Sequence, residues 1–314
     1  MRPLFKIIWK KDFLFLIKGI SIVFLIAGVF GIYEFFIQAN PYNDYIISIA
    51  GDNPDKILSW IYDTDNSDRG YRVRSIFVHP IGGGMNFGLF FLVVFYLYVF
   101  FRKQMDLKYK YLILIATISM FCMFAANSRG PVMFTMIGLF PFFMAKNKYK
   151  FQFVLFAILS IFLVHQLKPE LFNNLFSIFD TKLQNEYSGS NFNMRIEQLS
   201  AALQILSNHP FFGIGIKGLS YYSNQLVVSQ LLSLESMWLW IIVEQGIVGI
   251  IVTLYLIYTL IVKNGIKAHN QLVVWLSVAY FVTYSMTSVP GFAIYLWYAF
   301  VFMFIKLKNF QINE

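Results

Sequence analysis

The chain has 314 residues, of which 58% are hydrophobic and only 13% are charged, and its mean hydropathy is +0.62. An ordinary soluble domain carries about 25% charged residues, so this composition excludes a water-soluble fold as the main architecture. The formal net charge of +9 would suit a nucleic-acid partner, but the distribution of the charges along the chain argues against one.

The apolar residues are gathered into runs. The N-terminus starts with the basic stretch MRPLFKIIWKK, and the apolar run after it is too long for a cleaved signal peptide and lacks a small-residue cleavage site, so it is interpreted as a retained first span. Runs long enough, or nearly so with tilt, to cross a bilayer lie at about 19–38, 82–101, 111–127, 131–145, 152–167, 236–262, 272–288 and 291–305. They predict an all-α polytopic membrane protein with about eight transmembrane helices, in a single integral membrane domain over 1–314.

The charges indicate the orientation of these spans. With the N-terminus inside, the cytoplasmic pieces carry sixteen cations against three acids, whereas the outer pieces carry nine cations and eleven acids. Two further acids, Glu34 and Glu244, lie within predicted spans. An excess of lysine and arginine marks the cytoplasmic side of a membrane protein, so both termini are predicted to be cytoplasmic. The basic charge is thereby explained, and the bilayer, not nucleic acid, is the predicted partner.

Two predicted outer loops, 39–81 and 168–235, are much longer than a turn between spans requires. The second loop contains a predicted amphipathic helix at about 193–208, because its apolar residues recur at helical spacing: Ile196, Leu199, Leu203 and Leu206. Such a helix lies on the membrane surface or on the helix bundle. It should end before Pro210, since proline cannot continue a helix.

The turn Ser128-Arg129-Gly130 precedes a predicted helix with Pro131 in its first turn, and Ser128 or Gly130 suits the capping position. A cation is unfavourable beside a helix N-terminus unless an anion is also bound there. Arg129 therefore indicates an anion site, with the alternative that its side chain reaches lipid headgroup phosphates.

Three further arginines, Arg72, Arg74 and Arg195, are placed so that they can approach the outer rim near Arg129. Each alone would suit a solvated or lipid-facing charge. As a converging set beside a membrane they predict a site for a lipid-linked diphosphate, because the guanidinium fork matches phosphate oxygens.

The entry into the sixth predicted span carries Glu235 at its start. At 100° per residue, Gly246 and Gly249 fall on nearly the same helix face as Glu235, which predicts a small-residue groove for helix packing below a carboxylate. Glu235 suits a general base, with the alternative of a favourable partner for the helix dipole. Glu244 points to the opposite face and suits a structural hydrogen bond or a relay.

No metal site and no cofactor are predicted. Cys122 lies in an apolar run, the four histidines have no ligand-spaced neighbour, and no glycine-rich phosphate loop with its lysine occurs. The acidic turn with Asp63 and Asp65 misses the calcium-loop pattern and is interpreted as solvated, with a divalent-cation loop as the alternative.

Three features together resemble the O-antigen ligase and polysaccharide-polymerase superfamily of bacterial envelope proteins. The turn Ser128-Arg129-Gly130 resembles its short arginine turn, and Arg195 followed by HPFFGIGIKG (209–218) resembles its long outer loop. Glu235-Ser236, nine residues and then Gly246-Ile-Val-Gly249 match the ligase signature in spacing, with glutamate in place of its histidine. Members usually have ten or more spans, so about eight indicate a shortened member or one that lacks N-terminal helices.

The resemblance implies a metal-independent glycosyltransferase of the bacterial inner membrane, with an active site that faces the periplasm or exterior. It would join oligosaccharide repeat units carried on undecaprenyl diphosphate, for O-antigen, capsule or exopolysaccharide, with a chain-length regulator as a candidate partner. The catalytic set would be Glu235, which deprotonates or orients the acceptor hydroxyl, with Arg129 and Arg195. Arg72 and Arg74 would join these arginines in binding the departing diphosphate.

Three alternatives remain. An O-antigen ligase would transfer the glycan to lipid A core, but ligases of the family are thought to use the histidine that Glu235 replaces, which favours a polymerase. A non-enzymatic transporter is less favoured because only Glu34 and Glu244 are ionisable residues in mid-membrane. A metal-dependent transferase of the dolichol-phosphate type would use Asp63 and Asp65.

Overall fold

The computed structural model describes residues 2–49, 71–77, 79–101, 109–144, 192–216, 218–221, 234, 236–287 and 293–312. These ranges are mainly helical and contain no β-strand. The helices in chain order are α1 (Arg2–Ile37), α2 (Pro41–Ile49), α3 (Pro80–Tyr96), α4 (Tyr109–Ala125), α5 (Arg129–Gly138), α6 (Phe140–Met144), α7 (Phe192–Asn208), α8 (Gly218–Tyr221), α9 (Met237–Ile257), α10 (Gln271–Ser285) and α11 (Ala293–Ile312). Short π-helical turns extend two of them: Leu97–Phe101 follows α3, and Tyr258–Ile266 follows α9.

Three described helical stretches are long and apolar enough to cross a membrane: Phe13–Ile37, Pro80–Phe101 and Met237–Ile266. Shorter apolar helices occupy Tyr111–Ala125, Arg129–Met144, Gln271–Ser285 and Ile294–Leu307. Each coincides with a predicted apolar run, and the remaining run, 152–167, lies outside the described residues. The helices agree with a polytopic membrane protein, while the number of eight spans and their orientation stay predictions.

Helix α3 is the centre of the bundle. In its most apolar window, 78% of the residues are buried inside the protein, against 33% for Phe13–Ile37 and 17% for Met237–Ile266. Phe90 of α3 is fully buried and stacks on Phe24 of α1 at 4.1 Å between ring centroids. Helix α3 is thus enclosed by its neighbours, while the other two long helices leave most of their apolar surface on the outside.

The fourth predicted span is interrupted between α5 and α6. Pro141 lacks an N–H, and the amide of Phe142 donates to Leu139 O (3.0 Å) instead of continuing the α-helical pattern to Gly138. The Gly138 carbonyl accepts instead from the hydroxyl of Tyr96, which is fully buried in α3. A side chain of α3 thereby satisfies a backbone group that the proline turn releases.

Segments from α2 through α5 meet at one end of the bundle. The amide of Val73 donates to Ala125 O, at the end of α4, over 3.0 Å. A Cβ added to Gly84, near the start of α3, would lie 2.7 Å from Pro131 Cγ of α5, so the absence of a side chain at Gly84 permits this close approach.

The later helices reach the same end. A Cβ on Gly130 of α5 would lie 2.8 Å from Thr287, just after α10, and the Trp238 indole at the start of α9 donates to Ser285 Oγ over 2.8 Å. We call this the arginine end, defined by Arg72, Arg74, Arg129 and Arg195. Since α4 and α10 end there and α3, α5 and α9 begin there, the helices alternate in direction, as successive spans must.

Helix α7 occupies Phe192–Asn208, where the sequence predicts a helix at about 193–208. Its buried face carries Gln198, Ala201, Ala202 and Ile205. The predicted apolar stripe faces away from the bundle instead: Ile196, Leu199 and Leu203 are 50%, 44% and 50% exposed. Helix α7 thus rests on the protein through two alanines, a glutamine and an isoleucine, while Ile196, Leu199 and Leu203 point outward.

Candidate functional site

Arg72 and Arg74 lie on an irregular segment, Tyr71–Phe77, which we call the arginine segment. Both are buried, at 6% and 0% exposure. Arg72 Nε donates to Ala126 O over 3.4 Å. The Asn43 side-chain oxygen, when the amide is oriented by its hydrogen bonds, accepts from Arg74 Nη1 (3.1 Å) and Nε (3.3 Å). These two arginines are therefore inside the protein, and the alternative of solvated or lipid-facing charges does not hold for them.

Arg129 is the first residue of α5 and is partly exposed. Ser128 is the capping residue, with extended backbone (φ −135°, ψ 135°), but its side chain makes no capping hydrogen bond. The first turn contains no acidic residue, and the guanidinium charge lies beside the positive end of the helix dipole. An anion at this position would be stabilised by both.

Arg195 lies in the first turn of α7 and is also partly exposed. Its Nη2 donates to Met286 O over 3.2 Å, and Met286 is followed by Thr287, the residue that approaches Gly130. The residues after α10 thus touch both Arg195 and the turn with Arg129. Through these contacts all four predicted diphosphate-binding arginines are placed at the same end of the bundle, two buried and two partly exposed.

Helix α9 is interrupted at Gly246, whose backbone (φ 62°, ψ −154°) is non-helical. In an uninterrupted helix the amides of residues 247 and 248 would donate to the carbonyls of residues 243 and 244. The segment Pro210–Gly215 inserts at this point and forms hydrogen bonds with these two amides and these two carbonyls instead. We call this arrangement the glycine clasp. Its four backbone hydrogen bonds run from Ile214 N to Val243 O (2.8 Å), Gly215 N to Glu244 O (3.1 Å), Ile247 N to Pro210 O (2.9 Å) and Val248 N to Phe211 O (3.1 Å).

Two glycines make the clasp possible. Gly246 has a left-handed φ, and a Cβ there would lie 2.6 Å from Phe211 O. Gly213 has φ 61°, and a Cβ there would lie 2.2 Å from Val243 O. Both atoms that would collide belong to the backbone, so neither can move aside without breaking the clasp.

The clasp changes the geometry from which a helix-packing role of Gly246 and Gly249 is predicted, and that role stays a prediction. The shared face with Glu235 assumed a continuous rotation of 100° per residue, which does not hold across the interruption at Gly246. The close approach at Gly246 comes from the backbone of the clasp segment and not from a neighbouring helix. At Gly249 the nearest atoms are side chains of its own helix, Gln245 and Ile241.

Most of the segments described above lie in a part of the chain that matches a known protein family. Residues 112–254 match the family model for O-antigen ligase. The match confirms the resemblance, and this part of the chain is assigned to the O-antigen ligase and polysaccharide-polymerase superfamily. No curated protein matches the chain. Together, the apolar helices and the family identify a membrane protein.

The O-antigen ligase match contains Arg129, Arg195 and the glycine clasp, whereas the arginine segment precedes it. The hydrogen bond from Val73 to Ala125 and the one from Arg72 to Ala126 connect the arginine segment to the matched part. The site thus combines residues from inside and outside the matched range.

Glu235 and the acidic turn with Asp63 and Asp65 lie outside the described residues. The residue after Glu235, Ser236, occupies the capping position of α9 at the arginine end with extended backbone (φ −146°, ψ 127°), and its side chain makes no capping hydrogen bond. Within the described ranges, no three histidine, cysteine, aspartate or glutamate residues are grouped so that they could hold a metal ion.

His79, which the sequence marks only as a histidine without ligand-spaced neighbours, caps α3 by accepting from Ile81 N at Nδ1 (3.1 Å). Desolvation by the surrounding protein, and then the positive charges of Arg72 and Arg74, lower the pKa of His79 to about 4, although the residue keeps an exposed surface. His79 is therefore neutral near pH 7 and does not add to the positive charge there.

Proposed function

We propose that this protein is a polysaccharide polymerase that joins oligosaccharide repeat units carried on undecaprenyl diphosphate, at the outer leaflet of the bacterial inner membrane. The reaction is a metal-independent glycosyl transfer. The acceptor hydroxyl oxygen forms a bond to the anomeric carbon of the donor sugar, the bond from that carbon to the diphosphate breaks, and the hydroxyl proton passes to a base.

The observation that carries the proposal is that Arg195 and the turn with Arg129 both contact the residues that follow α10. Arg129 opens a helix whose first turn has no acidic residue, and both arginines are partly exposed. A leaving diphosphate concentrates negative charge at one place, and cations that are already fixed there stabilise it without rearrangement. Arg72 and Arg74 are buried at the same end of the bundle and add positive charge from inside the protein.

Glu235 is the proposed base that takes the proton from the acceptor hydroxyl. It directly precedes the cap of α9, and α9 begins at the arginine end beside Ser285. The start of α9 at this end supports a role for Glu235 close to the arginines, where the donor sugar would lie.

The proposal is tested by complementation of a polymer-deficient strain with Arg129→Ala, Arg195→Ala and Glu235→Gln, with glycan length measured on gels. We expect each variant to lose long polymer at normal protein level. Lys267→Ala is the matched control, because it removes an exposed cation on the connection that precedes α10, at the opposite end of that helix. Full-length polymer from all three site variants would disprove the mechanism.

An O-antigen ligase is the second candidate, favoured by the description of the matching family. Both activities use the same donor and differ in the acceptor. Purified protein should be given the lipid-linked donor with either a second lipid-linked repeat unit or lipid A core, in the presence of a chelator. A polymerase extends the first acceptor and a ligase glycosylates the second, while loss of activity with chelator would favour the metal-dependent alternative.

A further inference from the structure

The buried carboxylate of Glu34, in the last turn of α1, binds the arginine segment directly. Its exposure is 0%. Oε1 accepts from the Tyr71 hydroxyl (2.8 Å) and from Arg74 N (3.2 Å), and Oε2 accepts from Ser75 N (2.6 Å). A carboxylate inside an apolar helix is costly unless it is fully hydrogen-bonded, so these contacts explain how the chain accommodates this one.

Ser75 is the residue at which the segment needs this support. Its φ is 56°, a left-handed conformation that residues with a side chain seldom adopt. Besides the amide bound by Glu34, its hydroxyl donates to Ala27 O (2.6 Å), and its carbonyl accepts from Asn40 Nδ2 (2.9 Å). Every polar group of Ser75 is thus held by α1 or by the residues just after it.

The opposite side of the segment is held by the end of α4. Val73 N donates to Ala125 O (3.0 Å), and Arg72 Nε donates to Ala126 O (3.4 Å). The segment is therefore fixed between Glu34 on one side and the residues that lead into the turn with Arg129 on the other.

We infer that Glu34 is a positioning residue for donor binding: it holds the arginine segment against the residues that lead into the Arg129 turn, so that the buried charges of Arg72 and Arg74 stay beside the diphosphate site. The inference rests on the proposed function and deepens it by naming the group that fixes two of the four arginines. Glu34 acts through the segment's backbone and does not touch the substrate.

Glu34→Gln in the full chain is the direct test, because glutamine keeps the size but has a single acceptor oxygen for donors on both sides. We expect faster amide hydrogen exchange in peptides covering 71–77, with no change in peptides covering the glycine clasp. We also expect the Kd for undecaprenyl diphosphate and the donor KM to rise about tenfold, the equivalent of one charge-assisted hydrogen bond, with a much smaller change in kcat.

Asp44→Asn is the matched control. Asp44 is an exposed carboxylate in the first turn of α2, so the variant removes the same charge close to Asn43, which binds Arg74, without removing a bond to the arginine segment. It should leave both exchange and donor affinity unchanged. If Glu34→Gln fails to fold, Tyr71→Phe removes only one of the three donors and should give a smaller change in the same direction.

The outcomes separate the two proposals. Unchanged hydrogen exchange at 71–77 in Glu34→Gln would overturn the role of Glu34. The same conclusion would follow if exchange became faster but donor affinity stayed at the wild-type value, while Arg129→Ala bound the donor more weakly. Wild-type donor affinity in Arg129→Ala and Arg195→Ala would overturn the proposed function instead. In that case the exchange measurement still decides whether Glu34 holds the segment.

Discussion

At the scale of single residues, the decisive feature is the backbone conformation of Gly246. Its left-handed φ interrupts α9, and the absence of a Cβ lets Phe211 O approach closely. In hydrocarbon, every backbone polar group needs a partner inside the protein, so an interrupted span is stable only if another segment supplies the missing hydrogen bonds. The glycine clasp does so, which gives both glycines of the clasp a structural role.

Gly246→Ala is therefore expected to lower stability by about 1–3 kcal/mol, since the new Cβ meets a strained φ and a backbone oxygen together. The measurement is the thermal unfolding midpoint of the detergent-purified protein. Gly19→Ala is the control, because Gly19 has ordinary helical φ and no atom within 4 Å of an added Cβ. An unchanged midpoint for Gly246→Ala would show that the clasp does not form in the folded protein.

A second residue-scale prediction concerns Tyr96, whose hydroxyl donates to the Gly138 carbonyl released by the proline turn. Tyr96→Phe leaves this buried acceptor without that donor and should cost about 1–3 kcal/mol. Thermal unfolding compared with Tyr255→Phe, at a position 68% exposed, checks the effect. Equal midpoints for the two variants would mean that Gly138 finds another donor.

At the scale of elements, helix α7 has three distinct surfaces: one buried against the protein, one exposed and apolar, and one exposed and polar. Its buried side packs on the bundle, while its outward side divides, at 100° per residue, into an apolar sector with Ile196, Leu199 and Leu203 and a polar sector with Glu197 and Gln204. A helix in water would bury the apolar sector first. The arrangement is typical of a helix at the membrane interface that touches protein, lipid and water at once.

Nitroxide labels test this arrangement in reconstituted bilayers. A label at residue 203 should collide mainly with lipid-soluble oxygen, whereas a label one residue on, at 204, should collide mainly with a water-soluble nickel chelate. Reversed accessibilities would place residue 203 in water and contradict the position of α7 at the membrane interface.

At the scale of the whole molecule, the contacts at the arginine end establish the relative direction of the helices but not which side of the membrane that end faces. The charge distribution predicts the outer side. The chain's only cysteine, Cys122, is fully buried. Chemical labelling of a single engineered cysteine can therefore be measured with little background from the native thiol.

A cysteine at position 44 should react with a membrane-impermeant maleimide in intact cells, because Asp44 is exposed and follows α1 at the arginine end. A cysteine at the exposed position 267 should react only after the cells are opened. Labelling of position 267 alone in intact cells would invert the topology and place the site in the cytoplasm.

The amino-acid sequence by itself determined the membrane class, the positions of the apolar helices, the extent of α7 and the family, because these depend on local composition, on periodicity and on short motifs. The stop of α7 before Pro210 is an example: proline's missing N–H acts on its own turn, whatever the surrounding fold. The four arginines could also be selected from sequence, since cations at the ends of apolar runs are conspicuous there.

Only the tertiary structure decided what long-range contacts control. It buried Arg72 and Arg74, paired Glu34 with the arginine segment across about forty residues of chain, and joined Pro210–Gly215 to the interruption in α9. A helical projection cannot predict that interruption, because Gly246 fits a regular helix locally and leaves it only when another backbone replaces the lost hydrogen bonds. Whether this stretch forms a regular helix or the clasp depends on backbone hydrogen bonds to a segment some thirty residues away in the chain. Local sequence patterns do not predict such bonds.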